Sequence, residues 1–259
     1  MTVVAIIPAR MAATRFPGKP LAKLLGLPMI EHVRRRVQLA ASVDRVVVAT
    51  CDEEIAQTVR AFGGLAAMTS PSHERCTDRV AEAARQYPAD VVVNVQGDEP
   101  CLLPEMIDAA VRPLTEDPAV VCVNLMAPLT SDADWMGRDM VKVVADAKGD
   151  ALYFSREPIP SRAKAPDGAY PRHRQVGIIA FRAEFLKRFT ELPQTPLERI
   201  ESVDMLRALE HGYPIRMVVV QGALMSVDSP ADLVRAEALL AADPLVKRYL
   251  DPAAAEQTR

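Results

Sequence analysis

A loop near the start of the chain carries cations at a spacing that suits a phosphate group. The segment IPARMAATRFPGKP follows an apolar run that begins at Val3, and it contains Arg10, Arg15 and Lys19. Several of its other residues are small, so backbone amides and three cations can face an oxyanion. It is not a Walker motif, which needs glycine where Ala13 stands, and no GxGxxG fingerprint is present. We predict a different polyphosphate-binding loop, with a basic surface loop as the alternative.

Two acidic segments further along the chain could hold a divalent metal ion. Asp98 and Glu99 follow an apolar run, and Asp228 lies between a short apolar stretch and the start of a helical pattern. Magnesium prefers one or two carboxylates together with phosphate oxygens. A phosphate loop with Asp98 and Asp228 therefore predicts metal-assisted nucleotidyl transfer. Each acidic segment taken alone is also explained by a turn that caps the next helix.

The elements that must position these groups follow an α/β pattern. Continuous apolar runs predict buried strands at Val3–Ile7, Arg45–Thr50 and Val91–Val95, and amphipathic helical patterns alternate with them. This alternation is typical of a mainly parallel sheet covered by helices on both faces. Such sheets bind ligands beyond the carboxyl ends of their strands. The cationic loop and the Asp98 loop both lie at strand ends of that kind.

In the second half of the chain the pattern of predicted strands and helices changes. VKVVADAKGDALYFS predicts two strands around a turn, and VGIIAF and PIRMVVV predict two more. ERIESVDMLRALEHG is predicted to form one helix that ends at Gly212. SPADLVRAEALLA predicts a final helix with Ser229 as its N-cap.

Composition excludes several classes of protein. With 259 residues, 49% of them hydrophobic, and a net charge of -3, the chain can form one large core, and it does not resemble a phosphate-neutralising nucleic-acid binder. Its four cysteines contain no CxxC pair, so we expect no disulfide framework or zinc site and a reducing cytoplasm. The apolar runs have strand length, so we expect no membrane span and no secretory signal.

The order of motifs resembles that of the CMP-Kdo synthetases, or 3-deoxy-manno-octulosonate cytidylyltransferases. The resemblance extends from Val3 to about Leu239. The motifs that carry it are IPARMAATRFPGKPLAKLLGLPMIEHV, HERCTDRVAE, VVNVQGDEP, VKVV and ALYFSREPIP, GIIAFRAEFL, PLERIESVDMLRALEHG and VDSPADL. It implies a Rossmann-like nucleotidyltransferase domain with a smaller β-rich insertion. We therefore expect one domain at 1–240, an insertion at about 125–190 with the acceptor and dimer contacts, and a C-terminal tail at 241–259.

The resemblance also implies a reaction and the residues that perform it. An acceptor oxyanion attacks the α-phosphorus of CTP and pyrophosphate leaves, with Mg²⁺ as cofactor and a homodimer as the assembly. The implied catalytic residues are Lys19, Arg10, Arg15 and Asp98. The implied CTP-binding residues are Pro8, Ala9, Arg10, Arg15, Lys19, Arg75, Thr77, Arg79 and Gln96. The implied acceptor-binding residues are Gln96, Arg156, Gln175, Ile179 and Glu201. The implied metal ligands are Asp98 and Asp228.

The sequence departs from the family pattern on the acceptor side. Arg75 and Cys76 stand where the family has Ser and Gly, Gln175 replaces a His, and Ile179 replaces a Tyr. The other departures are Ser161 for Trp, Met205 for Gln and Cys51 for Asp. A buried sugar hydroxyl left unpaired costs about 1–3 kcal/mol, so these losses disfavour a polyhydroxylated acid.

These departures lead to a specific hypothesis about the acceptor. We predict a CTP-dependent cytidylyltransferase that acts on a small anionic acceptor, such as the phosphonate phosphonoformate, because the added Arg75 favours a small, highly charged anion. The first alternative is a CMP-Kdo synthetase that acts on 3-deoxy-manno-octulosonate. The second is a non-catalytic nucleotide-binding regulator.

Overall fold

The computed structural model describes residues 1–12, 16–164, 171–222 and 225–250. The strands are β1 (Val3–Ala9), β2 (Lys23–Leu24), β3 (Leu27–Pro28), β4 (Arg45–Thr50), β5 (Leu65–Met68), β6 (Val91–Val95), β7 (Cys122–Pro128), β8 (Lys142–Ala145), β9 (Ala151–Ser155), β10 (His173–Arg182) and β11 (Arg216–Val219). The α-helices are α1 (Met29–Gln38), α2 (Glu53–Ala61), α3 (Cys76–Gln86), α4 (Pro104–Glu116), α5 (Asp132–Met136), α6 (Ala183–Glu191), α7 (Pro196–Glu201), α8 (Met205–Glu210), α9 (Pro230–Ala242) and α10 (Lys247–Leu250).

The central sheet has the strand order β11-β7-β10-β6-β1-β4-β5. β6, β1, β4 and β5 run parallel to one another, and β7 is parallel to β11. β10 lies antiparallel between β6 and β7, and the antiparallel pair β8-β9 extends from one of its ends. The prediction of a mainly parallel α/β sheet flanked by helices is confirmed.

The apolar runs form strands because both faces of the sheet are covered. Alternate residues of β1 belong to two different core layers: Val3, Ala5 and Ile7 face α1 and α4, whereas Val4 and Ile6 face α3 and α6. A strand buried on both sides needs apolar residues at every position, which is the pattern that the sequence shows. Burial of each such Val or Ile side chain contributes about 1.5–3 kcal/mol.

One predicted helix is wrong in its extent. The segment ERIESVDMLRALEHG forms two helices, α7 and α8, separated by a turn at Ser202. Ser202 has a φ of 55°, in the left-handed region, where an α-helix cannot continue. The N-cap prediction is confirmed: the Ser229 side chain caps α9, and Asp232 completes a capping box.

The predicted C-terminal tail begins with residues that pack against the rest of the molecule. Tyr249 is buried, its hydroxyl lies 2.9 Å from Nδ1 of His32, and its carbonyl accepts from Arg35 at 2.7 Å. Arg36 forms an ion pair with Asp243. Residues 251–259 lie outside the described residues. Within the described part of the chain, no helix is both long enough and apolar enough to cross a membrane.

Candidate active site

The predicted site loops meet because β1 and β6 are parallel neighbours. The register pairs Val3 with Val91, so the loops that follow the two strands leave the same edge of the sheet. Gly97 permits their contact, since a Cβ at this position would lie only 2.9 Å from the carbonyl oxygen of Pro8. Asp52, which follows β4, accepts a hydrogen bond from the N–H of Met11 at 2.8 Å. Three strand ends therefore shape the cationic loop.

Lys19 joins the cationic loop to both predicted metal ligands. Its ammonium nitrogen lies 2.7 Å from Oδ2 of Asp98 and 3.4 Å from Oδ1 of Asp228. Asp228 precedes the capping box of α9, where Asp232 accepts a hydrogen bond from its N–H at 3.1 Å. Carboxylates far apart in the chain thus converge on a single ammonium group, and their predicted role as metal ligands stays a prediction.

The converging carboxylates fit a magnesium ion. Two carboxylates are the number that magnesium commonly takes from a protein when it is also bound to phosphate oxygens. Among the residues described, no group of three or more His, Cys, Asp or Glu side chains is arranged to hold a metal ion. Asp98 and Asp228, which converge on Lys19, are the residues that could hold one beside a bound triphosphate.

A cavity of about 300 Å³, which we call the cationic cavity, opens around Lys19. The predicted residues that line it are Pro8, Ala9, Arg10, Lys19, Arg75, Arg79, Gln96, Asp98 and Asp228. Lining residues that the sequence did not single out include Phe16, His73 and Glu74. Arg15 lies outside the described residues. The cavity gathers cations from separate elements, which suits a polyanion.

Thr77 does not line the cavity. Its side chain is fully buried in the first turn of α3, and its hydroxyl donates to Asp204. Arg79 does line the cavity, although it is nearly buried and donates to the hydroxyl of Thr69. Thr77 therefore holds α3 against Asp204, and its direct contact with a nucleotide stays a prediction.

A larger cavity of about 930 Å³, which we call the polar cavity, adjoins the first. The two cavities share the lining residues Glu74, Arg75, Cys76, Gln96 and Asp228. Of the predicted acceptor residues, Gln96, Arg156, Gln175 and Ile179 line the polar cavity. A molecule in one cavity can therefore reach a molecule in the other across their common wall.

Glu201, the remaining predicted acceptor residue, is not among the residues that line the polar cavity. Its carboxylate accepts from Oγ of Ser155 and from the N–H of Arg156, both at 2.8 Å. Its backbone carbonyl accepts from Nε of Arg156, also at 2.8 Å. Burial alone would raise the pKa of Glu201, but these hydrogen bonds hold it below its usual value. The structure therefore gives Glu201 the role of positioning Arg156.

A buried lysine orders the same wall. Lys142 is fully buried, and its ammonium donates to the backbone carbonyls of Gly137, Met140 and Arg156. Burial lowers the pKa of Lys142. Because three carbonyls from two loops share one cation, the loop before β8 is tied to the end of β9.

A bulge in β10 shapes the polar cavity. The register of β10 against β7 shifts between Gln175 and Ile179. Gly177 lies within this bulge, where a Cβ would approach Cγ of Gln96 to 2.5 Å and Oε1 of Glu99 to 3.1 Å. Bulges beside active sites commonly re-aim side chains. Here the bulge lets the side chains of Gln96 and Glu99 pass close to the backbone of β10.

Sequence reasoning missed Asn94 of the polar cavity, and it identified Glu99 only as part of a carboxylate pair that could hold a metal ion. Burial, and after it the neighbouring Asp98, raises the pKa of Glu99 to about 7. Asn94 is the single polar residue within the apolar run of β6. That isolated polar residue in a buried strand was the signal that could have identified it.

Comparison with known proteins agrees with this geometry. The chain matches the family model described as cytidylyltransferase over residues 4–218. It is 48% identical over 247 residues to the 3-deoxy-manno-octulosonate cytidylyltransferase of Syntrophotalea carbinolica, covering 93% of this chain and 99% of that relative. It is 49% identical over 242 residues to the enzyme of the same name from Anaeromyxobacter dehalogenans, covering 93% and 98% of the two chains.

Solved structures give the same assignment. A CMP:2-keto-3-deoxy-manno-octonic acid synthetase complexed with CTP is 39% identical to this chain, with a TM-score of 0.89. The match covers 93% of this chain and 99% of that one. A cytidylyltransferase from Leptospira borgpetersenii, at 17% identity and a TM-score of 0.64, shares the fold. The chain therefore belongs to the 3-deoxy-manno-octulosonate cytidylyltransferase (CMP-Kdo synthetase) family and is a cytidylyltransferase.

Proposed function

We propose that the protein transfers CMP from CTP to 3-deoxy-manno-octulosonate and releases pyrophosphate. The observation that carries the proposal is the placement of Lys19, Asp98 and Asp228 together beside the wall that the cationic and polar cavities share. The relatives that match nearly the whole chain carry the name of this activity, and the most similar solved structure cited above was complexed with CTP.

In this proposal the cationic cavity binds the triphosphate of CTP. Arg10 and Lys19 neutralise its charge, and Arg79 contributes a third cation from α3. Such fixed cations stabilise the charge that develops on the transferred phosphoryl group and on the leaving pyrophosphate. Asp98 and Asp228 would hold the magnesium ion, which would supply further stabilisation of charge on the phosphate oxygens when bound.

The polar cavity binds and orients the acceptor. Arg156, held by Glu201, and Arg174 line it and offer guanidinium groups to the acceptor carboxylate. Arginine is well suited to a carboxylate because its planar fork can bind both oxygens. Gln96 lines both cavities, so it lies where the acceptor and the nucleotide meet. Holding the two reactants in this orientation removes much of the entropic cost of their encounter.

The sequence-based preference for a small phosphonate is not supported by the comparisons, which favour the alternative acceptor. A regulator without activity is likewise not supported, because the family assignment is enzymatic. The homodimer and the cytoplasmic location stay predictions.

A pyrophosphate-release assay tests the proposal. Purified protein is incubated with CTP and Mg²⁺ and with 3-deoxy-manno-octulosonate, phosphonoformate or no acceptor. We expect release with the sugar acid at a rate at least about 100-fold above that with phosphonoformate, and loss of release when a chelator removes the metal. Release with phosphonoformate but not with the sugar acid would overturn the proposed acceptor. UTP and ATP in place of CTP provide the control for the nucleotide.

A further inference from the structure

Two buried asparagines lie in one row across the central sheet. Ile179 of β10 pairs with Asn94 of β6 on one side and with Asn124 of β7 on the other. Residues directly opposite each other on neighbouring strands point to the same face of a sheet. The two amides therefore flank Ile179 on a single face. Their exposed fractions are 1% and 0%.

Asn124 has the contacts of a structural residue. Its Nδ2 donates to the carbonyls of Val176 at 2.9 Å and Ile178 at 3.1 Å, and its Oδ1 accepts from Nε2 of Gln175 at 2.7 Å. These contacts pair the backbone carbonyls that the β10 bulge removes from the ladder. The role of Asn124 is therefore structural, because its hydrogen bonds stabilise the bulge.

Asn94 has none of these contacts. Neither Nδ2 nor Oδ1 has a hydrogen-bond partner among the described residues, although both atoms are buried. Its neighbours in the row, Ile6 and Ile179, are apolar and cannot supply one. A buried amide without partners costs about 1–3 kcal/mol, so a fold does not gain by placing one there. Something other than the stability of the free protein must account for this residue.

The surroundings of Asn94 show where a partner could lie. Asn94 lines the polar cavity together with Glu99, whose Oε2 also has no partner within the described structure. Asn94 and Oε2 of Glu99 thus bring unpaired polar atoms to the wall of one cavity. An amide presents a donor and an acceptor side by side, which matches two adjacent hydroxyl groups.

We propose that Asn94 is an acceptor-specificity residue that binds hydroxyl groups of the polyhydroxylated acid through both atoms of its amide. This inference rests on the proposed function, and it assigns acceptor hydroxyls to a residue that pairs with Ile179 across the sheet. A phosphonate of a few atoms has no hydroxyl to satisfy the amide. Asn94 therefore selects for a hydroxylated chain and against small acids.

A matched pair of variants tests the role of Asn94. Asn94→Leu keeps the approximate size and removes both polar atoms. We expect the KM for 3-deoxy-manno-octulosonate to rise about 10- to 100-fold and the KM for CTP to change less than about 3-fold. The midpoint of thermal unfolding should stay or rise, because an unpaired buried amide has been removed. In Asn124→Leu the midpoint should fall, because the carbonyls of Val176 and Ile178 lose their donor.

A shorter acceptor separates recognition from packing. With a six-carbon 3-deoxy-2-keto acid, which has fewer hydroxyls, the wild-type protein should lose acceptor affinity and Asn94→Leu should lose little more. An unchanged acceptor KM in Asn94→Leu, or a fall in its unfolding midpoint like that of Asn124→Leu, would overturn the inference. Equal losses with both acceptors would also overturn it, because the amide would then not be reading hydroxyls.

Failure of the proposed function has a different signature. If wild-type protein shows no turnover with 3-deoxy-manno-octulosonate, its thermal midpoint is measured with and without that acid. If the acid raises the midpoint of the wild type but not that of Asn94→Leu, Asn94 binds the acid although the proposed reaction does not occur. If the acid does not change the midpoint of the wild type, both the proposed reaction and the role of Asn94 are wrong.

Discussion

The cationic cavity and the polar cavity are organised in opposite ways before any substrate binds. In the first, the opposite charges of Lys19, Asp98 and Asp228 are already paired within the protein. In the second, polar atoms of Asn94 and Glu99 are buried and unpaired. A paired site can accept many polyanions by exchanging partners, whereas an unpaired one rewards only a ligand that satisfies it. The comparison indicates that selectivity for the acceptor arises in the polar cavity, where buried polar atoms of the free protein lack hydrogen-bond partners.

The largest expected effect is at Lys19, in the cationic cavity. Lys19→Ala should lower kcat by about 1,000-fold, since it removes a fixed cation beside the triphosphate. The unfolding midpoint should change little, because Asp98 and Asp228 retain 29% and 41% side-chain exposure and water can screen their repulsion. Steady-state kinetics and thermal unfolding check both effects. Lys23→Ala, at an exposed lysine of β2, is the control, and wild-type kcat in Lys19→Ala would remove the residue from the site.

Gly177→Ala tests the polar cavity separately from the cationic cavity. A Cβ at this position would lie 2.5 Å from Cγ of Gln96, so the side chain of Gln96 must move. We expect kcat/KM for the acceptor to fall about 30-fold, with an overpacking cost of about 1–3 kcal/mol in the free energy of unfolding. Initial rates at varied acceptor concentration measure the first effect, and denaturant titration measures the second.

Gly97→Ala is the matched control on the cationic side. Its Cβ would meet the carbonyl oxygen of Pro8 rather than a side chain. It should destabilise the protein by a similar amount and raise the KM for CTP more than that for the acceptor. Identical kinetic signatures in the two alanine variants would show that the cavities do not act separately.

Glu201→Gln tests whether Arg156 is positioned by its neighbour. The charge-assisted hydrogen bonds that Ser155 and the Arg156 N–H donate to Glu201 become ordinary ones. We expect kcat/KM for the acceptor to fall about 10-fold while the KM for CTP is unchanged. Glu210→Gln, at a carboxylate that accepts from the N–H of Leu197 at 3.1 Å, controls for general loosening of α7 and α8. An equal effect in both variants would contradict the positioning role.

The smallest expected effect belongs to the double variant Gln175→His and Ile179→Tyr. If Asn94 already binds the acceptor hydroxyls, restoring the family's residues should change kcat/KM for 3-deoxy-manno-octulosonate less than about 3-fold. The same assay with phosphonoformate serves as the reference. A gain above 10-fold with the sugar acid would show instead that these departures determine acceptor choice, as the sequence suggested.

Local sequence patterns predicted the features that depend on neighbouring residues, such as strand bounds and helix caps. The bounds of β4 and β6 follow from their mainly apolar runs, and Ser229 was identifiable as a cap from its position before a helical pattern. The position of Asp98 at the end of a buried strand was also predictable, because parallel strands deliver their following loops to one edge.

The rest depends on contacts between distant segments. No local pattern distinguishes Asn94 from Asn124, since their difference arises from the register of β10 between β6 and β7. The family resemblance implied that Glu201 binds the acceptor, and its contacts with Tyr153, Ser155 and Arg156 arise between segments far apart in the chain. The break at Ser202 is equally invisible in a helical pattern that continues through it.

The position of β10 constrains how the enzyme can be re-engineered. Because this strand hydrogen-bonds to β6 along one edge and β7 along the other, exchanging it in a chimera would cut through the centre of the sheet. A graft between relatives can replace the segment that connects β7 to β10, but residues 173–182 must stay with the host. Altering the contacts that β10 makes with a substrate is therefore a matter of point substitution along a fixed strand rather than of module exchange.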